Sequence, residues 1–261
     1  MRSTSRASRF ALAAATLLAA CNPTATASPS SGGSSGGGST DKSSTVTFYH
    51  LLMTVASGSS SVTFKANGLP FGAGTLYLGT SLNNTVPWSS SSPLVPFEVT
   101  DGGTTRFAAQ GHLLTNGIGH SAIAIGVNGS VDPNIQPAIV VAAKDTVTPP
   151  AGTARVRWVH AWPGVGAVDI WSGIPGAEVR VVQGLAYGQI SPYSNITAAT
   201  ALISLNEIIT PAGVARGVAD YASIVAISQV TGGNAYLIPL IYINSNFGSP
   251  GSKSIGIYQE R

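Results

Sequence analysis

The chain has 261 residues, 44% of them hydrophobic and only 9% charged, which is enough material for two domains with cores of their own. Its formal net charge of +3 belongs to the leader: without Arg2, Arg6 and Arg9, ten basic residues face ten acidic ones. So neutral and sparse a charge set excludes a nucleic-acid footprint, and the single cysteine excludes both an internal disulfide and a cysteine-built metal or thiol site.

Arg2, Arg6 and Arg9 precede an apolar run over residues 10–20 that is too short to span a bilayer. Leu18-Ala19-Ala20-Cys21 then has the pattern of a bacterial lipoprotein signal, with small residues at the cleavage site and Cys21 as the lipidated first residue of the mature protein. Residues 1–20 are therefore expected to be the signal peptide. The mature chain is expected to be exported and held to membrane lipid through acylated Cys21. In a two-membrane bacterium, Asn22 in place of Asp after the cysteine favours the outer membrane or cell surface, by the way such lipoproteins sort. Residues 21–44 comprise Cys21 and a Ser/Gly-rich linker without large apolar side chains, a flexible tether with a root-mean-square span on the order of 25 Å and about 80 Å fully stretched. Gly36-Gly37-Gly38 lies in this linker rather than between a strand and a helix, so it is no nucleotide loop.

From residue 45 the pattern becomes that of strands. Short β-branched or aromatic segments stand at 45–49, 62–66, 76–78, 122–127 and 138–142, punctuated by Asn67-Gly68, Asp101-Gly102-Gly103 and Asn128-Gly129. The later half continues with 154–160, 167–171, 178–182, 201–205, 223–228 and 236–243, and a short helix over 202–209 competes with the strand reading there. Asp101-Gly102-Gly103 and Asp132-Pro133-Asn134 fit no calcium loop and read as turns.

The two halves align. Val46-Thr47-Phe48-Tyr49-His50 is similar to Val156-Arg157-Trp158-Val159-His160, and Gly79, Asn84, Pro87, Trp88 and Ser89 recur 105 residues later as Gly184, Gln189, Pro192, Tyr193 and Ser194. This predicts a tandem pair of β-domains, 45–148 and 149–261, with a proline-stiffened junction near 145–154. In the second half Ala154-Arg155-Val156-Arg157-Trp158-Val159-His160-Ala161, Pro163, Val168-Asp169-Ile170-Trp171 and Leu185-Ala186-Tyr187-Gly188-Gln189-Ile190-Ser191-Pro192-Tyr193 together resemble the DUF4397 family, a domain of unknown function found in tandem in bacterial secreted and surface proteins. The resemblance covers 154–261. The first half keeps His50 and Pro87-Trp88 but has Thr63 where the second has Asp169. It implies an all-β fold, two immunoglobulin-like or transthyretin-like sandwiches, and brings no established chemistry.

Candidate functional residues are few. His50 and His160 stand at equivalent strand ends, and repetition favours histidines that satisfy neighbouring backbone over a shared metal or acid–base site. Asp169 could face His160 and orient its imidazole as hydrolases do, yet no recognisable nucleophile accompanies them: Gly119-His120-Ser121 lacks the second glycine of a nucleophile elbow, since Ile123 stands there; a structural hydrogen bond between Asp169 and His160 or backbone is the favoured expectation. His112 and His120 have no third ligand at metal spacing. Trp162-Pro163-Gly164 predicts an exposed turn whose aromatic either packs the turn onto its own sheet, the favoured reading, or stacks on a sugar, whereas Trp88, Trp158 and Trp171 are expected in the core. The expected role is a non-enzymatic structural or adhesive envelope lipoprotein, without cofactor or metal, whose partner is cell-wall polysaccharide or another envelope protein. Carbohydrate binding through Trp162 and hydrolysis through His160 and Asp169 are the alternatives.

Overall fold

The computed structural model describes residues 42–54, 61–81, 83–89, 91–101, 104–105, 110–200, 205–227, 229–242 and 253–260, all within one compact unit, Gly38–Arg261. The expected signal peptide, Cys21, Asn22 and nearly all of the expected linker lie outside the described residues, as do Gly102, Gly103 and the first part of the 201–205 segment.

The protein is all-β. The first repeat contributes β1 (Lys42–Thr54), β2 (Ser61–Ala66), β3 (Leu69–Leu76), β4 (Asn84–Trp88), β5 (Leu94–Asp101), β6 (Thr104–Thr105), β7 (Gln110–Leu113), β8 (His120–Asn128) and β9 (Ala138–Ala143). The second contributes β10 (Thr153–His160), β11 (Val168–Gly173), β12 (Val179–Leu185), β13 (Ser194–Thr197), β14 (Leu205–Pro211), β15 (Ala222–Ile227), β16 (Ala235–Tyr242), β17 (Lys253–Ile255) and β18 (Tyr258–Gln259). Each repeat makes two sheets. In the first they run β4-β1-β8-β9 and β3-β2-β5-β6, with β7 also on β5. In the second they run β13-β10-β16-β17, with β18 also on β16, and β12-β11-β14-β15.

Period-two alternation explains the stacking. Along β1, Val46, Phe48 and Leu52 turn toward Val62 and Phe64 of β2 and Val95, Phe97 and Val99 of β5, forming the core of the first sandwich. Along β10, Val156 and Trp158 turn toward Val168 and Ile170 of β11 and Ile209 of β14, forming the core of the second. The opposite faces of these same central sheets meet each other. Tyr49 and Leu51 of β1 and Ile123 and Ile125 of β8 pack with Val159 and Ala161 at the end of β10 and Leu237 and Ile241 of β16. The tandem repeat is thus a four-layer stack in which the two sandwiches share a third, apolar interface, rather than two bodies joined only through a proline-rich junction.

The register of the repeat is 110 residues over the first strands and the turn that follows, not the 105 that aligned Gly79 with Gly184. His50 N–H donates to Gly79 O and His160 N–H to Gln189 O, both at 3.0 Å; Ser81 N–H donates to Phe48 O at 2.9 Å and Ser191 N–H to Trp158 O at 2.8 Å. Tyr77 therefore matches Tyr187, and Ser81 matches Ser191. The shorter offset was drawn by the similar Pro-Trp-Ser and Pro-Tyr-Ser triplets, which occupy different places. The parallel ladders agree between repeats as well: Val46 pairs with His120 and Val156 with Tyr236.

Two local expectations are corrected. The 202–209 segment is not a helix where it is described: β14 begins at Leu205, and Leu205 and Ile209 face the core at every second position with Glu207 between them. A run of β-branched residues, Ile208-Ile209-Thr210, suits that extended backbone. The 76–78 strand is also misplaced: β3 ends at Leu76, and Leu78 takes a left-handed φ of 63° in the turn that follows. The Asn67-Gly68 turn stands where expected, with φ of 51° and 75°, the conformation that a two-residue hairpin between β2 and β3 requires.

Candidate functional site

The residues singled out for chemistry are spent on the fold. His50 Nδ1 accepts the Leu52 N–H at 3.2 Å, and His160 Nδ1 accepts the Trp162 N–H at 3.3 Å. His160 Nε2 lies 2.9 Å from Gly166 O and so carries the proton. Burial lowers the His160 pKa and the bond to Gly166 O opposes that shift only in part. The imidazole is a buried neutral brace for the turn that follows β10.

Asp169 does not orient His160. Its carboxylate, fully buried on β11, accepts the Gly184 N–H at 2.7 Å and the Gly213 N–H at 3.1 Å, and pairs with Arg180 at 3.1 Å. Gly184 has a φ of 65° at the irregular step of the β11–β12 ladder, and Asp169 pins that bulge to the loop after β14. The hydrolase dyad fails because each member already has local backbone partners. Asp169→Ala is expected to strand two amide donors at about 1–3 kcal/mol each and to lower the melting temperature measured by circular dichroism. An unchanged melting temperature would refute the pinning role.

Trp162 is corrected too. It is completely buried, its indole N–H donates to Ile241 O at 2.6 Å, the His160 ring meets it edge-on at 6.2 Å, and the Lys253 ammonium lies 6.0 Å from its centroid. Its ring has no free face for a sugar. The Trp-Pro-Gly sequence marks a turn, but the chain folds the tryptophan under that turn rather than over it. Trp88 and Trp158 are in the cores as expected; Trp171 is half-buried, with the Arg180 guanidinium 5.6 Å from its centroid. His120 bonds Ser44 Oγ at 2.7 Å, and its Nε2 accepts the Thr115 N–H at 3.3 Å; His112 lies apart on β7 against Phe97. Among the described residues no three His, Cys, Asp or Glu groups gather as metal ligands.

What the sequence reading missed is a polar cluster in the seam between the sandwiches. The Glu260 carboxylate enters it from the chain end, just after β18, with its side chain fully buried. It takes two guanidinium bonds from Arg157, Nε at 3.0 Å and Nη2 at 2.6 Å, and the hydroxyls of Ser121 and Tyr193. Arg157 Nη1 donates to Ala143 O at 2.7 Å in the first repeat, and its guanidinium stacks 4.7 Å over the Tyr193 ring. Arg155 pairs with Asp145 alongside. Every group is thus paired within or across the seam. A cavity of about 340 Å³ opens beside it, lined among others by Tyr49, Asn83, Lys144, Tyr258 and Glu260. Lys144 Nζ donates to Thr47 Oγ1 at 2.6 Å and to Asn83 Oδ1 at 3.3 Å. Burial lowers the Lys144 pKa, Glu260 opposes this and Arg157 adds to it. The arrangement clamps the two sandwiches by charge-assisted bonds; its acceptors are saturated by protein donors. The one signal in sequence was the inward alternation of Arg155 and Arg157 on a strand that otherwise reads as apolar.

No family model matches the chain, and no curated protein matches it either.

Proposed function

We propose that the protein is an exported lipoprotein of the cell envelope whose folded body is a rigid, non-catalytic element presented on a tether, with a structural or adhesive role toward an envelope polymer or protein. The observation that carries this reading is that His160, Asp169 and Glu260, the buried groups with the best claim to chemistry, each hold backbone or the seam in place. Leu18-Ala19-Ala20-Cys21 and the Ser/Gly linker supply the anchor and the tether. The resemblance of 154–261 to DUF4397 domains of surface proteins is consistent with that placement.

The test is lipid attachment. In cells fed an alkyne fatty acid, the wild-type chain is expected to take up label and sediment with membranes, and Cys21→Ser is expected to lose the label and leave the membrane fraction. A Cys21→Ser chain that stays labelled and membrane-bound would sink the anchor, and with it the envelope role.

A further inference from the structure

Matching strands of the two repeats face each other across the seam, and one pair of matching tyrosines is held differently on its two sides. Tyr77 and Tyr187 occupy matching positions, each meeting the histidine of its own repeat edge-on, His50 at 6.0 Å and His160 at 5.9 Å. Tyr77 Oη crosses the seam and donates to Tyr242 O, at the end of β16, at 2.9 Å. Tyr187 Oη is equally withdrawn from solvent but has no hydrogen-bond partner among the described residues.

The parallel ladders explain the difference. Since His120 matches Tyr236 in them, the position matching Tyr242 is Gly126. There the turn between β8 and β9 folds back over the strand. Val127 N–H donates to Ile135 O at 2.7 Å, and Gly126, with a φ of 108°, lies so close that a Cβ would come within 2.4 Å of Gln136 O. Asp132 fixes this turn: its Oδ1 accepts Asn134 N–H at 2.9 Å, and its carbonyl accepts Ile135 N–H at 3.0 Å and Gln136 N–H at 2.7 Å.

Where the turn faces residues 164–167 a cleft opens. It comprises a cavity of about 760 Å³ adjoining one of about 380 Å³, and Pro133 and Tyr187 line both. Ile125, Ala138, Val140, Val165 and Ala167 give it apolar walls. His112 Nε2, a second buried atom without a partner among the described residues, belongs to a residue lining the smaller part. The size and the mixture of apolar wall and few polar groups are those of a small-molecule site.

We propose that this cleft binds a small, uncharged, largely apolar molecule that presents an oxygen acceptor to Tyr187 Oη. Burial pushes the Tyr187 phenol up, so it stays a donor, and lowers the His112 pKa, so that ring stays neutral. Among the cleft residues named here Asp132 alone is charged, which disfavours anions. This inference does not depend on the lipid anchor.

The probe is 6-propionyl-2-dimethylaminonaphthalene, a neutral aromatic ketone whose emission reports burial and hydrogen bonding at its carbonyl. It is titrated into the full-length chain carrying Cys21→Ser, so that no acyl chain competes for the dye. Saturable binding is expected. Tyr187→Phe should weaken it about three- to tenfold, the loss of one hydrogen bond, and should leave unchanged the binding of 2-dimethylaminonaphthalene, which lacks the ketone. Tyr77→Phe, on the closed side, should lower the melting temperature without changing affinity. Gly166→Trp should abolish binding, because no atom lies within 4 Å of a Cβ there and an indole would fill the larger cavity. Absence of saturable binding to the parent chain would overturn the proposal, as would binding that neither Tyr187→Phe nor Gly166→Trp alters.

Discussion

Glu260→Ala is expected to destabilise the protein by about 3–5 kcal/mol, the usual consequence of leaving a buried charge without its partner. The stranded group is Arg157, whose side chain is 3% exposed and which cannot shed its proton to escape the penalty. Tyr193 and Ser121 lose their acceptor in the same step. Urea unfolding followed by tryptophan fluorescence measures the loss as a shift of midpoint. Three of the four tryptophans, Trp158, Trp162 and Trp171, sit in the second sandwich, so a separate early transition there would show the sandwiches parting before either melts. The double variant Arg157→Met with Glu260→Leu is expected to recover most of the loss, since apolar side chains of similar volume need no compensation. A fall below about 1 kcal/mol for Glu260→Ala would show that the apolar seam holds without the clamp.

Stability is also expected to fall as pH rises from about 4.5 to about 8. Glu207 on β14 is fully buried among the core residues of the second sandwich, and burial raises its pKa to about 8, with the Ser172 hydroxyl and Trp158 indole N–H beside it working in the opposite direction. The unfolded chain releases this proton near 4.5, while the folded chain keeps it until about 8. Across that window the folded state binds more protons, so each pH unit costs about 1.4 kcal/mol. Other groups titrate over the same range, so the quantity to read is the difference between wild type and Glu207→Gln, an amide that keeps the shape and cannot ionise. The difference should favour the variant increasingly from pH 5 to pH 8. A flat difference would mean that Glu207 is charged in the folded protein. In the first repeat the register puts Phe97 at this position, inside an aromatic cluster with Phe48 at 5.9 Å, so the pH dependence belongs to the second sandwich alone.

Much of the fold was legible because it rests on local signals. β-Branched segments marked β2, β8, β9, β10, β11 and β16 to within a few residues, and Asn67-Gly68 marked its hairpin. The strands missed, β4, β5, β7 and β13 among them, are short or carry proline and polar side chains, and their pairing partners rather than their own composition make them strands. The histidine braces were legible because the same pattern occurs twice. The seam was not. Arg157, Glu260, Tyr193 and Ser121 lie up to 139 residues apart in sequence, and nothing local says that two repeats turn their outer faces toward each other. The exposed, sugar-stacking reading of Trp162 failed because sequence shows that an aromatic residue stands beside a turn, but not on which side of the chain the turn closes; for Asp169 the favoured expectation, a structural hydrogen bond to backbone, is what the structure shows.

The position of β1 bears on how the body would carry load. Residues ahead of Lys42 enter directly into β1, which lies between β4 and β8 and contributes to both the first core and the seam. A pull from that end runs along the strand, so it meets the β1–β4 and β1–β8 ladders in shear, many bonds resisting at once, instead of peeling an edge strand bond by bond.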